Sequence, residues 1–132
     1  MTRLLLDTTF LIDAERGGVG LDNVIADDDD VAIAAITIAE LRVGVLLADD
    51  RRRQDRMAFL DAVRNGLPVV GYDSDVADVH GDLLAFVRRF GTPRGAHDLV
   101  IAATARATGR DVVTADRAAF EGLPGVEVHL HR

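Results

Sequence analysis

Arg3-Leu4-Leu5-Leu6-Asp7-Thr8-Thr9-Phe10-Leu11-Ile12-Asp13 decides how the rest of the chain is read. The apolar run Leu4 to Leu6 has strand length and stops at a carboxylate. Two hydroxyl residues follow, and a short helix from Thr9 to Arg16 ends at Gly17-Gly18. In a parallel α/β fold, a side chain at the carboxyl end of a strand points into the crevice where ligands bind. Asp7 is therefore a candidate site residue. Asp also caps helices well, so for Asp7 taken alone the ligand and the cap both stand. Asp13, on the same helix, reads as solvent-facing.

The strand-then-acid arrangement recurs. Val31-Ala32-Ile33-Ala34-Ala35-Ile36 is a second continuous apolar strand, and Thr37-Ile38-Ala39-Glu40 follows before Leu41, Val45 and Ala48 take helical spacing. Thr37-x-x-Glu40 fits a capping box, in which the Glu reaches back to the start of its helix; a Glu so placed also faces the crevice. Gly44 in this helix implies close packing against a neighbour. Asp111 to Thr114 reads as a fourth strand, followed at once by Ala115-Asp116, where Asp116 suits either the crevice or the cap of a short helix through Phe120. Asp98 opens the Ala-rich stretch Leu99-Val100-Ile101-Ala102-Ala103-Thr104-Ala105, a central helix packed on both sides, and stands in the first turn, where the helix dipole favours negative charge. His97 beside it reads as structural or solvent-facing.

The remaining segments supply the frame. Asp27-Asp28-Asp29-Asp30 is a like-charge block and reads as a solvated loop. Asp49-Asp50 marks a turn before an exposed helix start, Arg51-Arg52-Arg53, with Phe59, Leu60 and Val63 on its buried side. Leu67 to Gly71 holds a third short strand, and Asp73-Ser74 caps a long helix carrying Val76, Val79, Leu83, Val87 and Phe90. Gly91-Thr92-Pro93 ends that helix, Gly109 ends the Ala-rich one, and Val126 to Val128 forms the last strand. Strands alternating with helices imply a parallel sheet covered on both faces.

Four acids, Asp7, Glu40, Asp98 and Asp116, then fall just after strands or in first turns and can share one edge of the sheet. Converging carboxylates repel, so some pKa values rise unless a cation is present. Oxygen-only ligation selects a hard ion, magnesium, with manganese as substitute. Such an ion activates water and stabilises the leaving oxygen in phosphodiester cleavage.

The chain has 132 residues, which fits one domain spanning 1–132, and its 48% apolar and 28% charged residues are ordinary for a globular protein. The absence of cysteine removes disulfides and thiolate metal sites. No apolar run long enough for a membrane span and no signal pattern are present, so the expectation is a cytoplasmic protein. A net charge of −7 argues against nucleic acid as partner. A four-carboxylate metal site would account for −4 of it. All 15 basic residues are Arg, the residue suited to bidentate phosphate contact. Arg51 to Arg53, Arg88, Arg89 and Arg94 are the candidates for an RNA backbone.

Leu-Leu-Leu-Asp7-Thr-Thr-Phe-Leu-Ile-Asp, Thr37-x-Ala-Glu40-Leu, His-Asp98-Leu-Val-Ile-Ala-Ala-Thr-Ala and Val-Thr-Ala-Asp116 together resemble a PIN domain, and more narrowly a VapC-type ribonuclease toxin of a type II toxin–antitoxin pair. The resemblance runs from Leu4 to Val128. It implies a three-layer α/β/α sandwich with a five-stranded parallel sheet in order 3-2-1-4-5. It also implies magnesium-dependent cleavage of RNA around Asp7, Glu40, Asp98 and Asp116, a homodimer, and a small cognate antitoxin that blocks the cleft. Ala96 departs from the pattern, since many relatives carry a further Asp there.

Other classes fit less well. A phospho-acceptor receiver requires a Lys opposite its acidic pocket, and this chain has none. A haloacid-dehalogenase-like phosphatase needs an acid where Thr9 stands, and no glycine-rich phosphate loop ends in Gly-Lys. The remaining alternative is a PIN-like scaffold that binds RNA or partners without cutting.

Overall fold

The computed structural model describes residues 1–17 and 27–129. Its elements run β1 (Arg3–Leu6), α1 (Thr8–Gly17), β2 (Asp30–Ala34), α2 (Ala35–Leu47), α3 (Asp50–Gly66), β3 (Val69–Val70), α4 (Ser74–Phe90), α5 (Ala96–Ala107), β4 (Asp111–Val113), a single 3-10 turn (Arg117–Ala119) and β5 (Val128–His129). Every strand pairing is parallel, and the order is β3-β2-β1-β4-β5, as expected. β1 lies at the centre with Leu5 opposite Ala32 of β2 and Val112 of β4.

Alternation along the strands divides the core into two layers, because successive side chains leave a strand on opposite faces. Leu5, Ala32, Ala34 and Val112 meet α4 and α5 through Val76, Leu83, Leu99 and Ile101. Leu4, Leu6, Ile33 and Val113 meet α1, α2 and α3 through Phe10, Leu11, Leu41, Val45, Leu60 and Val63. The three-layer arrangement follows. Within α5, Ile101 through Ala105 are consecutively buried, so the small Ala side chains let this helix sit close to its neighbours on all sides.

Several segment boundaries differ from the sequence expectation. β2 ends at Ala34, and Ala35-Ile36 already belong to α2. A continuous apolar run hides such a junction, since buried strand and buried helix share their composition. The last strand is shifted to Val128–His129, and Thr114 lies just past β4. Gly18 falls outside the described residues.

The acidic block is not wholly a solvated loop. Asp29 accepts a bond from the Thr2 amide (3.1 Å), and Asp30 opens β2. The Asp30 carboxylate lies 2.9 Å from Nη1 of Arg110, whose side chain is only 8% exposed, and 3.2 Å from Nε of Arg3. The bond from Arg110 holds the Asp30 carboxyl below the usual carboxylate range. These charges meet at the amino-terminal edge of the sheet, and the Asp7 edge is the other one.

Candidate active site

Asp7 follows β1 directly, and its amide still bonds the Val113 carbonyl (2.9 Å), so sheet pairing carries the backbone up to this residue. The side chain is 1% exposed. A buried carboxylate is costly unless hydrogen bonds compensate it, and here two hydroxyls do. Thr9 Oγ1 and Thr114 Oγ1 each donate to Asp7 Oδ2 at 2.6 Å. Each hydroxyl has one proton to give, so the 3.2 Å approach of the two threonines to each other adds no third bond. Asp7 also stands directly before α1, where its carbonyl accepts the Leu11 amide at 3.2 Å, so the same residue begins the helix and offers its carboxylate to the two hydroxyls.

Glu40 lies in the second turn of α2, and the expected capping box is absent. The helix starts at Ala35, with Ala34 in the cap position and no side-chain cap, so Thr37 is inside the helix and fully buried. Thr8 Oγ1 stands 2.7 Å from Glu40 Oε1 and 3.1 Å from the Thr37 hydroxyl. One proton cannot serve both, and the charged acceptor at the shorter distance takes it. Thr8 therefore aims Glu40 from α1. The other carboxylate oxygen lies 3.4 Å from His97 Nδ1.

Asp98 sits in the first turn of α5, and its carboxylate folds back over Gly95. A Cβ on Gly95 would lie 2.6 Å from Asp98 Oδ2. Burial raises the Asp98 pKa, and the negative charges of Asp7, Glu40 and Asp116 raise it further, while His97 works in the opposite direction. Asp116 stands before the 3-10 turn without a side-chain capping bond. Its amide donates to Thr114 Oγ1 at 2.9 Å, the same hydroxyl that holds Asp7. Acids drawn from four separate segments thus lie within electrostatic reach of one point.

Among the described residues, no three acidic or imidazole groups form a ready-made cage for one ion. Magnesium keeps several of its waters and needs only one or two carboxylates from the protein. The donor set is oxygen throughout, and Asp98 carries the unrelieved repulsion that a cation would remove.

The PIN domain family matches residues 4–125 of the chain. Ribonuclease VapC5 of Mycobacterium tuberculosis is 37% identical over 128 residues, with 94% of this chain and 92% of that protein covered. The chain belongs to the PIN domain family. It is related to the VapC ribonuclease toxins. The solved structure of VapBC-5 from the same organism, from the VapBC family of toxin-antitoxin systems, is 33% identical and matches with a TM-score of 0.80 over 97% of this chain and 98% of that one. VapBC2 from Rickettsia felis, solved bound to a DNA fragment from its promoter, matches with a TM-score of 0.90 over 99% and 100% of the two chains at 22% identity, which speaks for the fold.

Within this PIN fold, the four acids named from the sequence come from the carboxyl-terminal edge of the sheet and from the helix turns beside it. Sequence reasoning missed the role of the threonines. Thr8, Thr9 and Thr114 each follow a strand end within a few residues of a candidate acid, and that placement was the available signal. His97 is exposed, as expected, yet it approaches Glu40. Arg94, counted among the RNA contacts, is instead turned inward: Nη1 donates to the Ala118 carbonyl (3.1 Å) and Nη2 to the Glu121 carbonyl (2.6 Å). Arg53 bonds Ala48 and Asp50 but stays exposed, as do Arg51, Arg52, Arg88 and Arg89. Close packing does not account for Gly44, since among the described residues a Cβ there would meet only Arg56 Nη1, at an ordinary 4.0 Å. Arg56 Nη1 donates to the Gly44 carbonyl at 3.0 Å.

Proposed function

We propose that this chain is the toxin of a toxin–antitoxin pair and a magnesium-dependent endoribonuclease, with Asp7, Glu40, Asp98 and Asp116 as its catalytic and metal-holding residues. The observation that carries this reading is the gathering of Asp7, Glu40 and Asp116 around Asp98, close enough that their charges add to burial in raising its pKa. Carboxylates that crowd one another at a cost to the protein are what a divalent cation site requires before the cation arrives. The relatives' ribonuclease names supply the substrate class.

Asp7 and Asp98 would hold the ion, with Asp116 and Glu40 completing its surroundings; manganese would substitute. Bound there, magnesium supplies Lewis-acid activation of water and stabilisation of the leaving oxygen. The protein supplies fixed orientation. The two threonine hydroxyls lock one oxygen of Asp7, and Thr8 fixes the Glu40 carboxylate from α1. Glu40, held by Thr8 rather than by backbone amides, would be the carboxylate left to accept a proton.

The partner in this reading is a small cognate antitoxin. A cleft of about 110 Å³ is lined by Glu40, by Ile12, Leu41 and Phe59, and by Glu15, Arg16 and Arg56. Apolar side chains with charges of both signs among them suit a segment of another protein. A homodimer in the cytoplasm completes the reading. Among the described residues no helix is long and apolar enough to cross a membrane.

Sequencing RNA ends from cells that express the protein, beside cells that express Asp98→Asn, tests the function. New ends at defined positions in the wild-type sample alone are expected. Identical end profiles in both samples would overturn it.

A further inference from the structure

We propose that Arg94 is a positioning residue, whose guanidinium straps the segment entering α5 to the turn after β4 and so sets how far Asp98 stands from Asp116. The proposal rests on the nuclease reading above and deepens it.

The two arms of the guanidinium are committed to opposite ends of one turn. Nη1 donates to the Ala118 carbonyl at 3.1 Å and Nη2 to the Glu121 carbonyl at 2.6 Å. The backbone bonds of that turn run from Ala119, Phe120, Glu121 and Leu123 to the carbonyls of Asp116, Arg117 and Phe120. The carbonyls of Ala118 and Glu121 are left for the strap. A short turn ends with carbonyls that need outside donors, and a planar fork with fixed donor directions meets two of them at once. The chain then folds under the guanidinium at Gly122, with φ +83°, where a Cβ would lie 3.7 Å from Nη2.

Each end of the strap sits close to one acid. Arg94 precedes Gly95, whose carbonyl accepts the Leu99 amide at 3.1 Å and begins α5, so Asp98 follows within the same turn. Ala118 comes two residues after Asp116, which has no side-chain capping bond of its own. The Asp116 backbone is tied on one side to Thr114 Oγ1, and the strap ties the other. No carboxylate pairs with Arg94 among the described residues, and its Nε is buried without a partner. An arginine placed for an ion pair or for phosphate would leave its donors free, and these are spent on backbone.

The strap is not what folds the turn. Phe120 is fully buried and Leu123 is 3% exposed in the core beneath α5, so an Arg94 variant keeps its apolar anchor. What it loses is the setting of the Asp116 end.

The test uses the full chain as wild type, Arg94→Lys and Arg94→Met, with circular dichroism to show that each is folded. Manganese affinity is titrated without RNA, amide hydrogen exchange is followed over residues 116–121, and cleavage is measured against magnesium concentration. Faster exchange in both variants is expected, together with a loss of manganese affinity of about 10-fold or more, the scale for groups that orient metal ligands. The magnesium needed for half-maximal cleavage should rise alongside, while the RNA KM at saturating magnesium stays unchanged. Arg94→Lys, which keeps the charge but loses the fork, should not rescue. Wild-type metal affinity in folded variants would overturn the strap alone. A raised RNA KM with unchanged magnesium dependence would also overturn it and make Arg94 a phosphate contact. A wild-type protein that neither binds manganese nor cuts RNA would overturn the nuclease reading, and the strap's purpose with it.

Discussion

Thr114 Oγ1 donates a 2.6 Å hydrogen bond to Asp7 Oδ2, joining residues 107 apart in the chain. The same oxygen accepts the Asp116 amide, so one hydroxyl links two acids from neighbouring parallel strands. Thr114→Val keeps the shape and removes both bonds. A hydrogen bond to a buried charge contributes about 1.5–3 kcal/mol. A stability loss of that order is expected in urea titration, together with reduced RNA cleavage, and Thr114→Ser should restore both. Wild-type behaviour of Thr114→Val would remove the hydroxyl from the site.

Asp98 gives the pH dependence. Its pKa in the folded protein lies above the ordinary 3.8, so the folded state binds the proton more tightly than the unfolded chain. Stability from this group is therefore present below the ordinary value and is lost as pH rises through the raised one. In chelator at neutral pH, Asp98→Asn should melt at a higher temperature than wild type, and the two should converge when pH falls below the ordinary value. Added magnesium should raise the wild-type Tm more than that of the variant. Calorimetry decides it. A variant less stable than wild type at neutral pH would refute the crowding of carboxylates.

Gly95→Ala isolates position from charge. Its φ of −61° and ψ of 140° suit alanine, but the new Cβ would stand 2.6 Å from Asp98 Oδ2 and force that carboxylate aside. The cap change itself costs about 1 kcal/mol or less. Cleavage should nevertheless fall by about 100-fold, the scale for a catalytic group moved by an ångström. Single-turnover kinetics beside a thermal melt separates the two effects, and unaltered kinetics would show that Asp98 tolerates other positions.

Asp73 illustrates what was legible in the sequence. Read as a cap before a long amphipathic helix, it accepts the Val76 amide at 2.9 Å, and Gly91 ends the helix with φ 75°. Asp73→Ala should cost about 1 kcal/mol in denaturant titration and Asp73→Asn almost nothing, with cleavage per folded molecule unchanged in both.

Local chemistry of that kind is written in adjacent residues. So was the sheet order, once the resemblance to PIN domains had been drawn from the stretches around Asp7 and Asp98. The start of α2 was harder, because Ala34, Ala35 and Ile36 are apolar in either conformation, and a shift of three residues turned Thr37 from a cap into a buried helix residue. Asp30 was read by its neighbours' charge, although its partner Arg110 lies 80 positions away. The threonine bonds and the Arg94 strap are long-range for the same reason. Spacing announces a carboxylate at a strand end; it does not announce which distant hydroxyl will hold it.

The most direct measurement is cleavage of a defined RNA by purified protein, stripped of metal by chelation and then titrated with magnesium, beside folded Asp7→Asn, Glu40→Gln, Asp98→Asn and Asp116→Asn. Expected are no cleavage in chelator, recovery with magnesium or manganese, and little or none in each variant at any magnesium concentration. Cleavage that persists after exhaustive chelation, or that survives in the folded variants, would contradict a carboxylate-held ion as the centre of this protein's chemistry.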